Sequence, residues 1–313
     1  MDVRIDPLPH NHALAEHLRA IAYYEQLYEI SNYEFRASSY VAAASLISKL
    51  DYELLTPAEA RSYRGIGVKI SKRVEQFSLT GTSTKLEKLR ARDPERDEVV
   101  SDLSSVVGLS VNMANELYDQ DIRSVADLRE NVELMDRVGL SPIYLSHATR
   151  FLEVIPREEI GLFREQVRGL LRQRRITVTS TGPYRRGEPA TSIDLLFTHF
   201  REEHLGIRQV LIDLASLLKD GISLSSTHFS GLSHSRRLVT ARLVRESSYA
   251  PALLYTTGPI PFVYDVRTQA EEQGRHLDEY EERTRSGKNI TPISERDLLS
   301  SLDLDYTPPT RRQ

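Results

Sequence analysis

Residues 182–199, GPYRRGEPATSIDLLFTH, hold the densest group of side chains able to do chemistry. A glycine-led turn lets the backbone approach an oxyanion, and the Arg185 and Arg186 guanidiniums match the geometry of phosphate oxygens. Ser192-Ile193-Asp194 then puts one hydroxyl and one carboxylate on the same face of a strand, because side chains two apart share a face. Asp194 is a hard oxygen ligand suited to Mg2+, but two-metal phosphoryl chemistry calls for at least two carboxylates. Glu188 lies nearby, on the wrong side of the turn for a simple exchange. The stretch therefore reads either as a phosphate-handling site or as the remnant of one.

A second phosphate seat is written into YRGIGVKISKRVEQF, residues 63–77. Gly65 and Gly67 give the tight turn of a helix-hairpin-helix, with exposed backbone N–H groups ahead of a helix and Lys69 just after it. VVGLSVNMANELYDQ, residues 106–120, repeats the pattern more weakly, keeping Gly108 but carrying Ser110 at the second position. Two further groups suggest less. His10 and His12 have a ligand-like spacing but sit in a proline-rich stretch expected to be exposed. HFSGLSHS, residues 228–235, has no acid placed to complete a triad and reads as a turn between strands.

The elements that must position these residues follow from periodicity. Leu14, Leu18, Ile21 and Tyr24 recur at helical spacing, a second helix runs through EFRASSYVAAASLISKL, and Thr56-Pro57 opens a third as N-cap and first helical residue. RARDPERDEVV reads as a charged linker or an inter-domain turn, and residues 100–151 as further helices. From Ile176 the pattern turns to strands at RITVTSTG, SIDLLFTH, RRLVTARLV and APALLYTT, before a loop-rich tail with one short helix. The fold class expected is α+β, all-helical first.

Bulk composition narrows the options. The 313 residues, 40% hydrophobic, suffice for two or three cores. The absence of Cys excludes disulfides, thiolate metal sites and cysteine nucleophiles and suits a reducing, intracellular compartment. No signal peptide, transit peptide or membrane-length apolar run is expected. The net charge of −4 does not announce a nucleic-acid binder. Residues 1–90 carry twelve Lys/Arg against eleven Asp/Glu, with seven of the basic residues between Arg61 and Lys88, so a basic face must be local.

In chain order, Tyr40 with AASLI, GIGVKISKRVEQF, TKLEKL, DIRSVADLRE, IPREEI, GPYRRG, IDLLFTH, LYTTG and the Glu279-Tyr280 pair resemble the family X DNA polymerases of the DNA polymerase beta type. IPREEI and the RRG turn are the most specific, and the likeness covers nearly the whole chain. It implies a helical lyase-like domain at 1–92, a helix-hairpin-helix DNA-binding subdomain at 93–151, a nucleotidyltransferase palm at 152–250 and a thumb at 251–313. It further implies binding of gapped or nicked DNA through the 5′-phosphate, gap filling with Mg2+, and removal of deoxyribose phosphate through a lysine Schiff base.

The resemblance also shows where this chain departs. Of the family's three metal-binding aspartates only Asp194 stands, with Ser192 and Thr240 at the other two positions. The Schiff-base lysine falls on Arg73, which cannot serve as an amine nucleophile, and Lys72 beside it points about 100° away on a helix. Tyr40, Lys85 and Lys69 match the phosphate pocket, and Gly182, Arg186, Tyr255, Thr257, Gly258 and Arg267 match nucleotide and minor-groove positions. Pro183, Ile260 and Val263 replace polar residues there, so the retained ones either still bind or only hold the fold. Three readings follow: a DNA-binding protein that has lost both chemistries and needs no metal; an active divergent polymerase in which Mg2+ is held by Asp194 and a displaced carboxylate; or a structural subunit with protein partners in a larger assembly.

Overall fold

The computed structural model describes residues 8–28, 32–104, 106, 109–131, 134, 153–199 and 206–312. The chain divides into two compact units, one of Pro9–Leu50 with Leu54–Leu152, the other of Met1–Leu8, Asp51–Glu53 and Glu153–Gln313. The helical and then α+β order expected from the sequence is the one found.

In the first unit, α1 (Pro9–Leu27) buries Leu14, Leu18, Ile21 and Tyr24 along one stripe. It packs on α2 (Tyr33–Ile47), whose buried Ala37, Ala43 and Ala44 allow close approach. The short α3 (Pro57–Arg61) is opened by a capping box, Thr56 accepting from the Glu59 N–H while Glu59 accepts from the Thr56 N–H. A tight turn leads to α4 (Val68–Thr80), and Ser83 caps α5 (Thr84–Arg90).

The charged stretch expected as a linker is instead a helix, α6 (Pro94–Ser104). Pro94 sits at its start, and the Asp93 carboxylate accepts from the Arg96 N–H. Its charge conceals an inward arginine: Arg96 is buried and donates to Asn115 Oδ1 at 2.9 Å, with Asp119 2.9 Å away. Val100 and Leu103 join α7 (Val111–Asp119) and α8 (Val125–Glu130) in a small core of their own. The remainder of the helical expectation, at 132–133 and 135–151, and Gly108 with it, lies outside the described residues. His10 and His12 also differ from expectation, both lying within α1. His10 Nε2 is 3.0 Å from the Leu54 carbonyl and 3.3 Å from Ser78 Oγ, because the helix starts at Pro9 and turns that ring inward.

The second unit is built on a five-stranded sheet in the order β1-β2-β5-β4-β3, from β1 (Ile176–Ser180), β2 (Ser192–His199), β3 (Leu218–Leu224), β4 (His228–Ser233) and β5 (Leu238–Arg245). β2 and β5 are parallel and the other pairs antiparallel. Helix α9 (Arg157–Leu171) lays Ile160, Phe163, Val167 and Leu171 on one face of the sheet, beside Ile207 and Val210 of α11 (Ile207–Asp213). Between β1 and β2 the chain makes the one-turn helix α10 (Gly182–Arg186). The turn expected at 228–235 is mostly strand β4, with His228 buried. Burial, with the Arg242 charge beside it, lowers its pKa to about 3.

APALLYTT, expected as a strand, is α12 (Tyr249–Thr257). Its Ala250 and Leu254 enter one core, with Val266 and Ala270 of α13 (Ile260–Glu272) and Leu298 of α14 (Glu295–Ser301). Its Ala252 and Leu253 enter another, with Leu196 and Val244 from the sheet. Burial on two sides makes the sequence uniformly apolar, which removes the period that separates helix from strand. A three-stranded sheet of β6 (Arg275–Leu277), β7 (Glu282–Thr284) and β8 (Asn289–Ile290) completes the unit. Among the described residues no helix is long and apolar enough to cross a membrane.

Candidate functional site

The parallel register of β2 and β5 sets Asp194 directly opposite Thr240. Ser192 Oγ donates to Asp194 Oδ1 at 2.9 Å, and Thr240 Oγ1 donates to the same oxygen at 2.7 Å. The three positions singled out in the sequence thus meet at one carboxylate oxygen. On its other side Asp194 lies against the glycine turn. The Thr181 N–H donates to the Asp194 carbonyl at 2.9 Å, and a Cβ at Gly182 would overlap Asp194 Oδ2. Gly182 has φ of +59°, so its lack of a side chain serves both the left-handed turn and this close approach.

A pair of Mg2+ ions needs several anionic oxygens, and this donor set does not fit them. It supplies one carboxylate, whose Oδ1 already accepts two hydrogen bonds from neutral groups. Among the described residues no cluster of three or more His, Cys, Asp or Glu is placed to hold a metal ion. Glu188 is engaged elsewhere: its Oε2 accepts from Arg186 Nε at 2.9 Å and Nη2 at 2.6 Å. That guanidinium holds the Glu188 carboxyl below its ordinary pKa.

The other guanidinium of the turn is occupied as well. Arg185 makes a two-pronged pair with Glu295, at 3.0 and 2.6 Å, and donates to Thr257 Oγ1 at 2.7 Å. Arg186 Nη1 donates to the Thr257 carbonyl, and Gly258 lies beside it. Arg267 is buried, donating to Glu279 Oε2 at 3.1 Å and to the Glu53 carbonyl at 2.7 Å. The Tyr255 ring lies under the guanidiniums of Arg242 and Arg267, at 5.1 and 5.4 Å. The nucleotide positions matched from the sequence are therefore packed into the protein's own contacts.

Sequence reasoning missed the ionic group at their centre. Glu53, Arg242, Arg267 and Glu279 are all buried, with Arg242 3.5 Å from a carboxylate oxygen of each glutamate. The Glu53 N–H donates to both oxygens of Glu279, whose pKa burial raises to about 7. An arginine inside the apolar run LVTARLV was the only available signal for it.

In the helical unit, Gly65 has φ of +98° and Gly67 caps α4, with nothing near either Cβ position, so the hairpin backbone is open. Lys69 and Lys72 are exposed on the first turns of α4. Arg73 lies on the flank and donates to Gln76 Oε1 at 2.8 Å. Lys85 is drawn instead to the fully buried Glu25, 2.5 Å away, which also pairs with Arg36 at 3.1 Å. Tyr40 is buried on α2. In the second hairpin, Ser110 Oγ accepts from the Met113 N–H at 3.2 Å and acts as the N-cap of α7.

Comparison with known proteins bears on both units. Residues 252–313 match the family model of the DNA polymerase beta thumb, and residues 9–83 match a helix-hairpin-helix domain. DNA polymerase lambda of Rattus norvegicus is 25% identical over 338 residues, which take in 97% of this chain and 56% of the relative. DNA-directed DNA/RNA polymerase mu of Homo sapiens is 25% identical over 196 residues, 62% of this chain and 38% of the relative. The chain thus spans little more than half of the first relative and well under half of the second.

Proposed function

We propose that this chain, which is similar to the family X DNA polymerases, binds gapped or nicked DNA through its helical unit, with both nucleotidyl transfer and lyase chemistry lost. The observation that carries this reading is the shared Asp194 oxygen, hydrogen-bonded by Ser192 and Thr240 where metal-binding carboxylates would stand. Neutral hydroxyls leave the site about two negative charges short of what a pair of divalent ions needs. Arg73 supports the same conclusion for the lyase, since a guanidinium keeps its proton and forms no imine. Binding has separate support, in the open hairpin at Gly65 and Gly67 with Lys69 and Lys72 beside it.

Primer extension on a one-nucleotide gap with Mg2+ or Mn2+ tests the loss of transfer, the expected result being no incorporation above background. Robust incorporation that disappears in Asp194→Ala would overturn it in favour of a divergent active polymerase with a displaced carboxylate. The pairing of Lys85 with Glu25 favours a second reading, a structural subunit bound to protein partners, because it removes one cation from the DNA face. Salt-sensitive binding to 5′-phosphorylated gapped DNA, and not to intact duplex, supports the first reading against the second.

A further inference from the structure

The sequence RRGEP at the end of α10 contains its own oxyanion. Gly187, at φ of +81°, folds the chain back so that Glu188 meets the arginine two residues before it, and the Glu188 N–H donates to the Pro183 carbonyl at 2.9 Å. The Nε/Nη2 edge of Arg186 is the edge with which a guanidinium grips a phosphate or carboxylate, and both of its nitrogens donate to Glu188 Oε2. The remaining terminal nitrogen donates to the Thr257 carbonyl. The Arg186 side chain is only 12% exposed, whereas that of Glu188 is 47% exposed, so the carboxylate lies over the cation from the solvent side.

Two of the surrounding guanidiniums are already committed to a carboxylate. Arg185 and Arg312 share the buried Glu295, and Asp194 has hydroxyl partners rather than cations. Glu188, Glu295 and Asp194 thus stand beside Arg185, Arg186 and Arg312, while an exposed fourth guanidinium, Arg157, donates to the Tyr184 carbonyl at 2.9 Å.

We propose that Glu188 determines the anion specificity of this turn, occupying the Arg186 fork as an internal stand-in for a phosphate and excluding polyphosphates from it. The inference rests on the reading of the site as one without transfer chemistry and deepens it: the site lacks metal ligands, and its anion seat is also filled. An incoming phosphate must displace a carboxylate that is held at a fixed spacing in the same chain, and must do so beside the charge of that carboxylate. Neutralising Glu188 removes both obstacles and leaves Arg186 buried with an unsatisfied edge.

The test is calorimetric titration of inorganic tripolyphosphate, without metal, into the full chain at low salt. Glu188→Gln and Glu188→Ala are expected to bind at least about tenfold more tightly than the parent, the scale of one hydrogen-bonded charge pair gained. Glu188→Gln/Arg186→Ala is expected to return to the parent level. Equal affinity of the parent and both single variants would overturn the proposal, as would a gain that survives loss of Arg186. Loss of the Arg186 partner should lower the melting temperature of the Glu188 variants by a few degrees, so the titrations are run well below the lowest transition. Primer extension reads the loss of transfer separately, so failure of that reading is distinguishable from failure of this one.

Discussion

Around Asp194, two hydroxyls stand at the positions where the resemblance implies acids; on α4, the guanidinium of Arg73 stands where it implies an amine. The first exchange removes charge and the second keeps it. An anionic metal seat depends on summed negative charge, so replacing carboxylates with hydroxyls removes the ions and their chemistry together. A phosphate contact depends on positive charge, which Arg73 supplies as well as lysine would, while only the covalent step needs a removable proton. The comparison teaches that binding and chemistry separate more easily on the helical unit than in the sheet.

The largest effect should come from Arg73→Lys, where a single change supplies the amine that the resemblance implies at this position. Borohydride trapping on DNA with an incised abasic site should rise on the order of a thousandfold over the parent. An equally strong adduct in the parent would mean that the neighbouring Lys72 already serves as nucleophile, and the contrast would collapse.

A smaller effect concerns the fold around Arg73. His17 is buried, 2.9 Å from Ser83 Oγ, with its ring 4.9 Å from that of Phe77. Burial, then the charges of Arg90 and Arg73, lower its pKa from 6.5 to about 4. The unfolded chain therefore takes up this proton first on acidification. Stability is full above pH 6.5 and declines as pH falls towards 4, by on the order of 3 kcal/mol. Denaturant melts of His17→Gln across that range should show a flatter profile, and an unchanged slope would remove His17 as the cause.

The sheet around Asp194 should respond more modestly, and only to a double change. Ser192→Asp/Thr240→Asp places two more carboxylates around Asp194 and should destabilise the protein by about 1–3 kcal/mol in EDTA. Mn2+ should restore the melting temperature of that variant and leave the parent unmoved. A comparable Mn2+ shift in the parent would break the contrast between the two regions.

Much of this was legible in the sequence because local rules and tertiary structure agreed. The α1 stripe, the Thr56-Pro57 helix start and the strands around Asp194 follow from spacing and capping alone. Thr240 was placed by resemblance, and the register of β5 sets it opposite Asp194. Three kinds of feature stayed hidden. At α6 a charged sequence folds inward because Arg96 finds Asn115 and Asp119, partners some twenty positions away in the chain. At α12 complete burial removes the helical period. The Glu53–Arg242–Glu279 group joins residues separated by up to 226 positions, and the individual sequences give no sign that they meet.

Helix α12 has a consequence for how the second unit comes apart. One side of it belongs to the core of the three-stranded end and the other to the outer face of the five-stranded sheet. Loosening either end strips a flank from the same nine residues and exposes apolar surface on both. The two ends therefore share one unfolding event, and the α12 amides gauge the stability of the whole unit.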